Sequence, residues 1–286
     1  MLTVSQLSKT YPGDVHALQE ATISCDQGVY GLLGQNGAGK STLMRTLATL
    51  QEVDSGEATL GDIDLLKDHH SARKVIGYLP QEMGVYPNMS ALETLQYFAG
   101  LKAIGTATDL MEELEKVNLA KEAHQRLDTF SGGMKRRFGI AVAFLGNPKL
   151  VIVDEPTAGL DPFERRRFQH LLAAASRDCI LILSSHIVED IADLAGKMAI
   201  LHKGRVLDED SPANLIDRMA GKVWTREIPF EEFEDFRANH RVLSWRPKSD
   251  RHRVRVFSEG RPGGDFEPCA PDLEDFYAYR VEATPA

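Results

Sequence analysis

The sequence predicts an α/β fold followed by a smaller α+β unit, on three observations. Two continuous apolar runs, Leu150–Val153 and Ile180–Leu183, are bounded by polar residues. Such runs suit strands buried on both faces of a parallel sheet. A helical stretch from about Pro162 to Ala175 separates them, with proline at its first turn. After about Gly221 the strands shorten and glycine, proline and arginine rise. The expected division is residues 1–220 and 221–286.

Taken in order, Leu2, Val4 and Leu7 alternate loosely, and Leu18–Cys25 and Val29–Leu33 read as strands around the turn Asp26-Gln-Gly28. Gly34–Gly39 is a glycine-rich loop. Lys40 to Leu50 carries leucines at 43, 47 and 50, a helical period. Ala58–Leu60 and Val75–Leu79 read as strands. His69 and His70 fall in a charged stretch expected to be a solvated loop. From Ser90 to about Gly146 the pattern is helical, through Leu92, Leu95, Phe98, Leu110, Leu114 and Val117. In the tail, strands are expected at Val223–Ile228, Val242–Trp245 and Val254–Phe257, and short helices near Phe230–Ala238 and Asp272–Arg280.

Composition bounds the function. Of 286 residues, 43% are apolar and 26% charged, as in folded globular chains. Lysine and arginine number 33 against 42 acids, a net charge of −9. That balance disfavours nucleic acid as a partner, since phosphate neutralisation needs clustered basic side chains. The longest apolar stretches, such as Ala141–Leu145 and Met198–Leu201, fall far short of the roughly 20 residues that span a bilayer as a helix. The opening residues have no basic segment followed by an apolar core, so no secretory signal is expected. Cys25, Cys179 and Cys269 have neither metal-ligand nor disulfide spacing and read as small hydrophobes of a reducing compartment.

The chemistry starts at Gly34. Residues Gly34 to Thr42 fit Gly-x-x-x-x-Gly-Lys-Ser/Thr, after an apolar run and before a helical pattern. Glycines let the backbone of Asn36, Gly37, Ala38 and Gly39 wrap closely around phosphates. Lys40 would reach the β- and γ-phosphates, the Ser41 hydroxyl would ligate Mg²⁺, and Thr42 closes the motif. The run Leu150–Val153 ends in Asp154, placed to hold Mg²⁺, and Glu155, a candidate general base. His186 follows the next strand, where ligands of open α/β sheets bind, so a γ-phosphate contact is expected. Ser131 reads as a helix N-cap, with Gly132 and Gly133 leaving amides open to an anion. Lys135, Arg136 and Arg137 in that first turn oppose the helix dipole.

Together, in this order, these pieces resemble the ATP-binding subunit of an ABC transporter over roughly residues 1–220. Gly34–Thr42 matches the Walker A loop, and Val151–Glu155 the Walker B strand. Phe130-Ser-Gly-Gly-Met134 matches the signature motif Leu-Ser-Gly-Gly-Gln, with phenylalanine and methionine replacing leucine and glutamine. Gln81 falls at the Q-loop, Ala158–Asp161 at the D-loop, His186 at the switch and Tyr11 at the aromatic that stacks on adenine. The resemblance implies a P-loop NTPase core: a mixed sheet, an N-terminal antiparallel β subdomain and a helical signature subdomain.

It further implies that two such domains close head to tail around ATP and Mg²⁺. Ser131, Gly132 and Gly133 of one copy would then contact the γ-phosphate held by the other, with Asp161 beside the nucleotide. Gln81 would ligate Mg²⁺ and sense a separate transmembrane permease, docked around residues 82–100. The chain would sit on the cytoplasmic face of the membrane. The wording of the signature and D-loop is most similar to the multidrug and antibiotic-efflux exporters, as is the closing segment Pro271–Tyr277. The alternative is a soluble ABC ATPase acting on ribosomes or DNA. Such proteins usually carry two nucleotide domains or a coiled-coil insertion, and this sequence shows neither.

Overall fold

The structure is a computed structural model that describes residues 1–81, 84, 88–105, 108–157 and 160–282. The chain forms two compact units, Met1–Glu209 and Asp210–Ala286.

In the first unit, β1 (Leu2–Tyr11) and β2 (Val15–Cys25) form an antiparallel hairpin. Its inward face carries Leu2, Val4, Leu7 and Ile23, all essentially inaccessible to water. β3 (Gly28–Leu33) runs through the glycine loop into α1 (Lys40–Leu47). β4 (Ser55–Leu60) pairs antiparallel with β1, and β5 (Ile63–Asp64) with β4. The first sheet therefore runs β2-β1-β4-β5, the antiparallel subdomain that the resemblance implies.

A short helix, α2 (His69–Val75), follows, so His69 and His70 open a helix and not a loop. The Asp68 carboxylate caps it by accepting the Ser71 N–H at 3.0 Å. The strand expected from Val75 is β6 (Ile76–Leu79). The helical stretch resolves into α3 (Ala91–Leu101), α4 (Leu110–Lys116) and α5 (Gly132–Phe144), which pack on one another. Ser90 and Glu93 close a reciprocal capping box at the start of α3. Then come β7 (Leu150–Val153), α6 (Pro162–Ala175), β8 (Ile180–Ser185), α7 (Val188–Ala192), β9 (Lys197–His202) and β10 (Arg205–Asp210).

The second sheet runs β10-β9-β3-β8-β7-β6. From β9 to β6 its neighbours are parallel, with Leu33 beside Ser185, Val153 beside Leu183 and Leu79 beside Val153. This register brings the carboxyl ends of β3, β6, β7 and β8 to one edge. Leu43, Met44 and Leu47 of α1 share a core with Leu2 and Val4 of the first sheet and Leu32, Ile152 and Ile182 of the second. Burying each such side chain is worth about 1.5–3 kcal/mol. The start of α1 is thereby fixed relative to both sheets.

The second unit adds α8 (Pro212–Asp217), β11 (Val223–Pro229), α9 (Phe233–Asn239), β12 (Arg241–Lys248), β13 (Arg251–Phe257), β14 (Glu267–Pro268) and α10 (Leu273–Glu282). Its antiparallel sheet has the order β12-β13-β11-β14 over a core of Ile228, Phe236, Val254, Val256 and Phe266. The Arg255 guanidinium reaches the fully buried Asp275 carboxylate, with Nε 2.9 Å from Oδ1. That partner holds Arg255 above its ordinary range. The structural boundary precedes the compositional one at Gly221. Composition marks the first strand, whereas α8 already packs on α10, and Arg218 lies 6.0 Å over the Phe276 ring.

Candidate functional site

The glycine loop wraps the start of α1. Its N-cap, Gly39, stands at φ 105°, and a β-carbon there would lie 2.3 Å from the Ala17 carbonyl oxygen. Only glycine fits. No side chain caps α1 and no acid lies in its first turn. The first N–H groups of a helix have no intrahelical partner, so its positive end is left for an anion.

Lys40 is 4% exposed and folds back over the loop. Its Nζ donates to the carbonyls of Gly34 at 2.7 Å and Gln35 at 3.2 Å, and lies 3.1 Å from Glu155 Oε1. The other Glu155 oxygen, Oε2, is 2.7 Å from His186 Nδ1. Glu155 is thus held between a lysine and a histidine at the ends of three neighbouring strands. Its backbone stands at φ 44°, a left-handed conformation that is costly for a side chain with a β-carbon.

Asp154 is buried beside it. Its N–H donates to the Leu79 carbonyl at 3.0 Å, and its Oδ1 accepts the Ser184 hydroxyl at 2.7 Å. Tyr78, one strand over, has its phenol pushed up by burial and by Asp154, with Arg45 opposing.

A cleft of about 530 Å³ joins these groups. Its walls include Tyr11, Gln35, Asn36, Gly37, Gly39, Lys40, Ser41, Thr42, Gln81, Glu155 and His186. Tyr11 is tied down at its hydroxyl, which donates to Gln51 Oε1 at 2.9 Å and lies 3.5 Å from Thr42 Oγ1. Gln51 in turn donates to the Thr42 carbonyl at 3.0 Å and to Thr46 Oγ1 at 3.1 Å.

The expected site residues divide into two groups. The loop, Tyr11, Gln81, Asp154, Glu155 and His186 meet at one strand edge. Ser131, Gly132, Gly133 and Asp161 line no wall of the main cleft. Ser131 caps α5 through the Met134 N–H at 3.3 Å, and Asp161 caps α6 through the N–H groups of Phe163 and Glu164, both at 2.9 Å. Gly132 joins Gln81, Pro80 and Arg136 in a second cleft of about 310 Å³. Ala158 and Gly159 lie outside the described residues, as do 82, 83 and 85–87 of the expected docking region.

Three residues that sequence reasoning passed over hold the site. Ser184 joins Asp154 to Glu155, donating to the one carboxylate and accepting the Glu155 N–H at 2.9 Å. Gln51 braces Tyr11. Asp190, 1% exposed, accepts from Thr157 Oγ1 at 2.6 Å, Ser185 Oγ at 3.0 Å, Gln169 Nε2 at 2.8 Å and Arg165 Nε at 2.5 Å. The signal for Ser184 was two serines ending an otherwise apolar strand. Asp190 reads as a solvated helix acid, and nothing local marks it.

The ABC transporter family model matches residues 18–158. The bacitracin transport ATP-binding protein BcrA of Bacillus licheniformis is 37% identical over 264 residues, 91% of this chain and 83% of that protein. The linearmycin resistance ATP-binding protein LnrL of Bacillus subtilis (strain 168) is 34% identical, covering 77% of this chain and 72% of that protein. The ABC transporter A family member 8 of Dictyostelium discoideum is 39% identical over 69% of this chain, and the chain spans 25% of that relative's length.

Among solved structures, an ATP-binding subunit of an ABC transporter superposes with a TM-score of 0.68 at 27% identity, covering 76% of this chain and 92% of that one. A dimeric ATP-binding cassette bound to ADP and Pi, in a post-hydrolysis state, shares the fold at a TM-score of 0.65 and 22% identity, covering 74% and 98%. The chain belongs to the ATP-binding proteins of ABC transporters.

Proposed function

We propose that the chain is the ATP-hydrolysing subunit of an exporter, working as two copies against a separate transmembrane permease. The observation that carries this reading is Glu155 held between Lys40 and His186 beside an uncapped, glycine-wrapped helix start. In this reading the N–H groups of Gly37 and of Gly39 to Thr42, with the Lys40 ammonium, bind the ATP phosphates, while the Ala38 N–H donates to the Gln35 carbonyl at 3.1 Å. The Tyr11 ring offers a face for the adenine.

The Ser41 hydroxyl, the Asp154 carboxylate and the Gln81 amide oxygen are hard oxygen donors, the kind Mg²⁺ takes. These residues would hold Mg²⁺, which would supply positive charge to offset that of the bound phosphates. Glu155 accepts a proton from the attacking water. His186 holds the far oxygen of Glu155, so the carboxylate keeps its aim when Lys40 turns to phosphate. Ser131, Gly132, Gly133 and Asp161 stand outside the main cleft and act on the nucleotide of the second copy. That assignment accounts for the basic run Lys135–Arg137, which follows the two glycines and Met134 at the start of α5.

Export as the direction of transport is supported by relatives named for bacitracin transport, linearmycin resistance and Nod factor export. No helix of the described residues is long and apolar enough to cross a membrane, so in this reading the permease supplies the span. The described part of the proposed docking region is α3, which exposes Tyr97 and Leu101. The proposed site is the cytoplasmic face of the membrane.

The test is phosphate release from ATP by the purified chain, with Glu155→Gln as control, alongside capture of a permease from solubilised membranes. Steady release that Glu155→Gln abolishes supports the reading. Release unchanged by that substitution overturns the role of Glu155.

A further inference from the structure

We propose that Ser184 is a positioning residue that sets both acids of the site through one hydroxyl, an inference that rests on the ATPase reading above. The Ser184 side chain is fully buried at the end of β8. Because Leu183 lies beside Val153, the next residue on each strand is Ser184 and Asp154. The hydroxyl spends its proton on Asp154 Oδ1 at 2.7 Å and a lone pair on the Glu155 N–H at 2.9 Å. A single oxygen therefore fixes a side chain on one residue and a backbone on the next.

Both effects bear on the reacting centre. Among the described residues no other side chain donates to the Asp154 carboxylate. The Asp154 main chain is already pinned to Leu79, so its rotamer is the remaining freedom, and Ser184 removes it. At Glu155 the anchored N–H lies on the residue held at φ 44°. Released from that anchor, the backbone can relax toward an ordinary conformation. Such a relaxation would swing the carboxylate away from Lys40 and His186. Ser185 cannot take over, because its hydroxyl donates to Asp190 at 3.0 Å and accepts the Ile187 N–H at 2.9 Å. The two adjacent serines thus face different tasks, one toward the acids and one toward the base of α7.

The experiment compares the full-length wild type with Ser184→Ala and Ser184→Cys. Alanine deletes the hydroxyl, and cysteine nearly keeps its volume with a weaker donor and acceptor. Three quantities are measured: steady-state ATP hydrolysis, thermal melting, and Mn²⁺ binding in the presence of ADP, read by electron paramagnetic resonance of the free ion. The expected result is a kcat lower by about 10- to 100-fold in Ser184→Ala. KM for ATP should stay within about twofold, and Mn²⁺ should bind about tenfold more weakly. Ser184→Cys should fall between wild type and alanine on each measure. If Ser184→Ala fails to fold, a folded Ser184→Cys with reduced kcat and weaker Mn²⁺ binding supports the proposal.

A folded variant whose kcat and Mn²⁺ affinity both match wild type overturns it. So does a loss of activity that follows the loss of folded protein, with unchanged Mn²⁺ affinity per folded molecule. A wild type that hydrolyses no ATP sinks the ATPase reading, while the Mn²⁺ comparison still decides whether Ser184 sets Asp154.

Discussion

The Lys40 ammonium and the Glu155 carboxylate lie 3.1 Å apart, with side chains 4% and 11% exposed, across 115 residues of chain. One belongs to the phosphate loop and the other to the end of β7. In the proposed function their contact joins the group that binds phosphate to the group that acts on water. Removing Lys40 deprives Glu155 of its cation and the phosphates of theirs. Lys40→Ala should weaken ATP binding by about 100-fold, near 2.7 kcal/mol, within what one or two charge-assisted hydrogen bonds supply. Equilibrium binding of a fluorescent ATP analogue measures this, and unchanged affinity refutes the loop assignment.

Gln51 ties the Tyr11 hydroxyl to the first turns of α1. Gln51→Leu should free the Tyr11 ring while leaving the phosphate loop intact. ATP affinity should drop by about three- to tenfold, the size of one neutral hydrogen bond. Affinity for inorganic tripolyphosphate, which has no base, should hold steady. Equal losses for both ligands would place the effect in the loop and not in the ring.

Asp190 carries a different load. Four donors converge on its buried carboxylate, one of them the Arg165 guanidinium. Asp190→Ala leaves that cation and three polar groups without their acceptor. Breaking a buried pair from one side costs about 3–5 kcal/mol. Urea denaturation should show a loss of that size, and a loss below about 1 kcal/mol would mean that the network is dispensable.

The Glu93 carboxylate accepts from the Ser90 N–H and hydroxyl, both at 2.8 Å, and these bonds hold it below the usual carboxylate range. A group whose ionisation is favoured by folding gives stability above its unfolded pKa, and that stability fades as pH falls through its folded value. Glu93→Gln should therefore lower the melting temperature at pH 7, and the gap to wild type should begin to close as pH falls below about 4. A gap that stays constant from pH 7 to pH 3 would contradict the capping role.

Local chemistry was readable in advance, and long-range chemistry was not. The phosphate loop is nine consecutive residues, and its glycines are demanded by local backbone geometry, so the sequence alone marks it. The Ser131 cap and the Pro162 helix start are equally local. The helix at His69–Val75 was missed because it is short and polar, with Ala72 alone buried and its cap supplied by an aspartate that reads as loop. β10 was missed because its residues are half-buried to exposed and mostly charged, with no apolar run. Ser184, Asp190 and Gln51 act on partners brought close by strand register and helix packing. A serine 30 residues from Asp154 carries no mark of that contact until β7 and β8 pair.

The most direct test of the account is the mass of Glu155→Gln in ATP and Mg²⁺, measured by gel filtration with light scattering. With phosphate binding intact and water activation removed, two copies should close on ATP and remain closed. The account predicts a stable ATP-containing dimer that reverts to monomer when ATP is withdrawn. A monomer under saturating ATP and Mg²⁺, still turning ATP over at the wild-type rate, would contradict it.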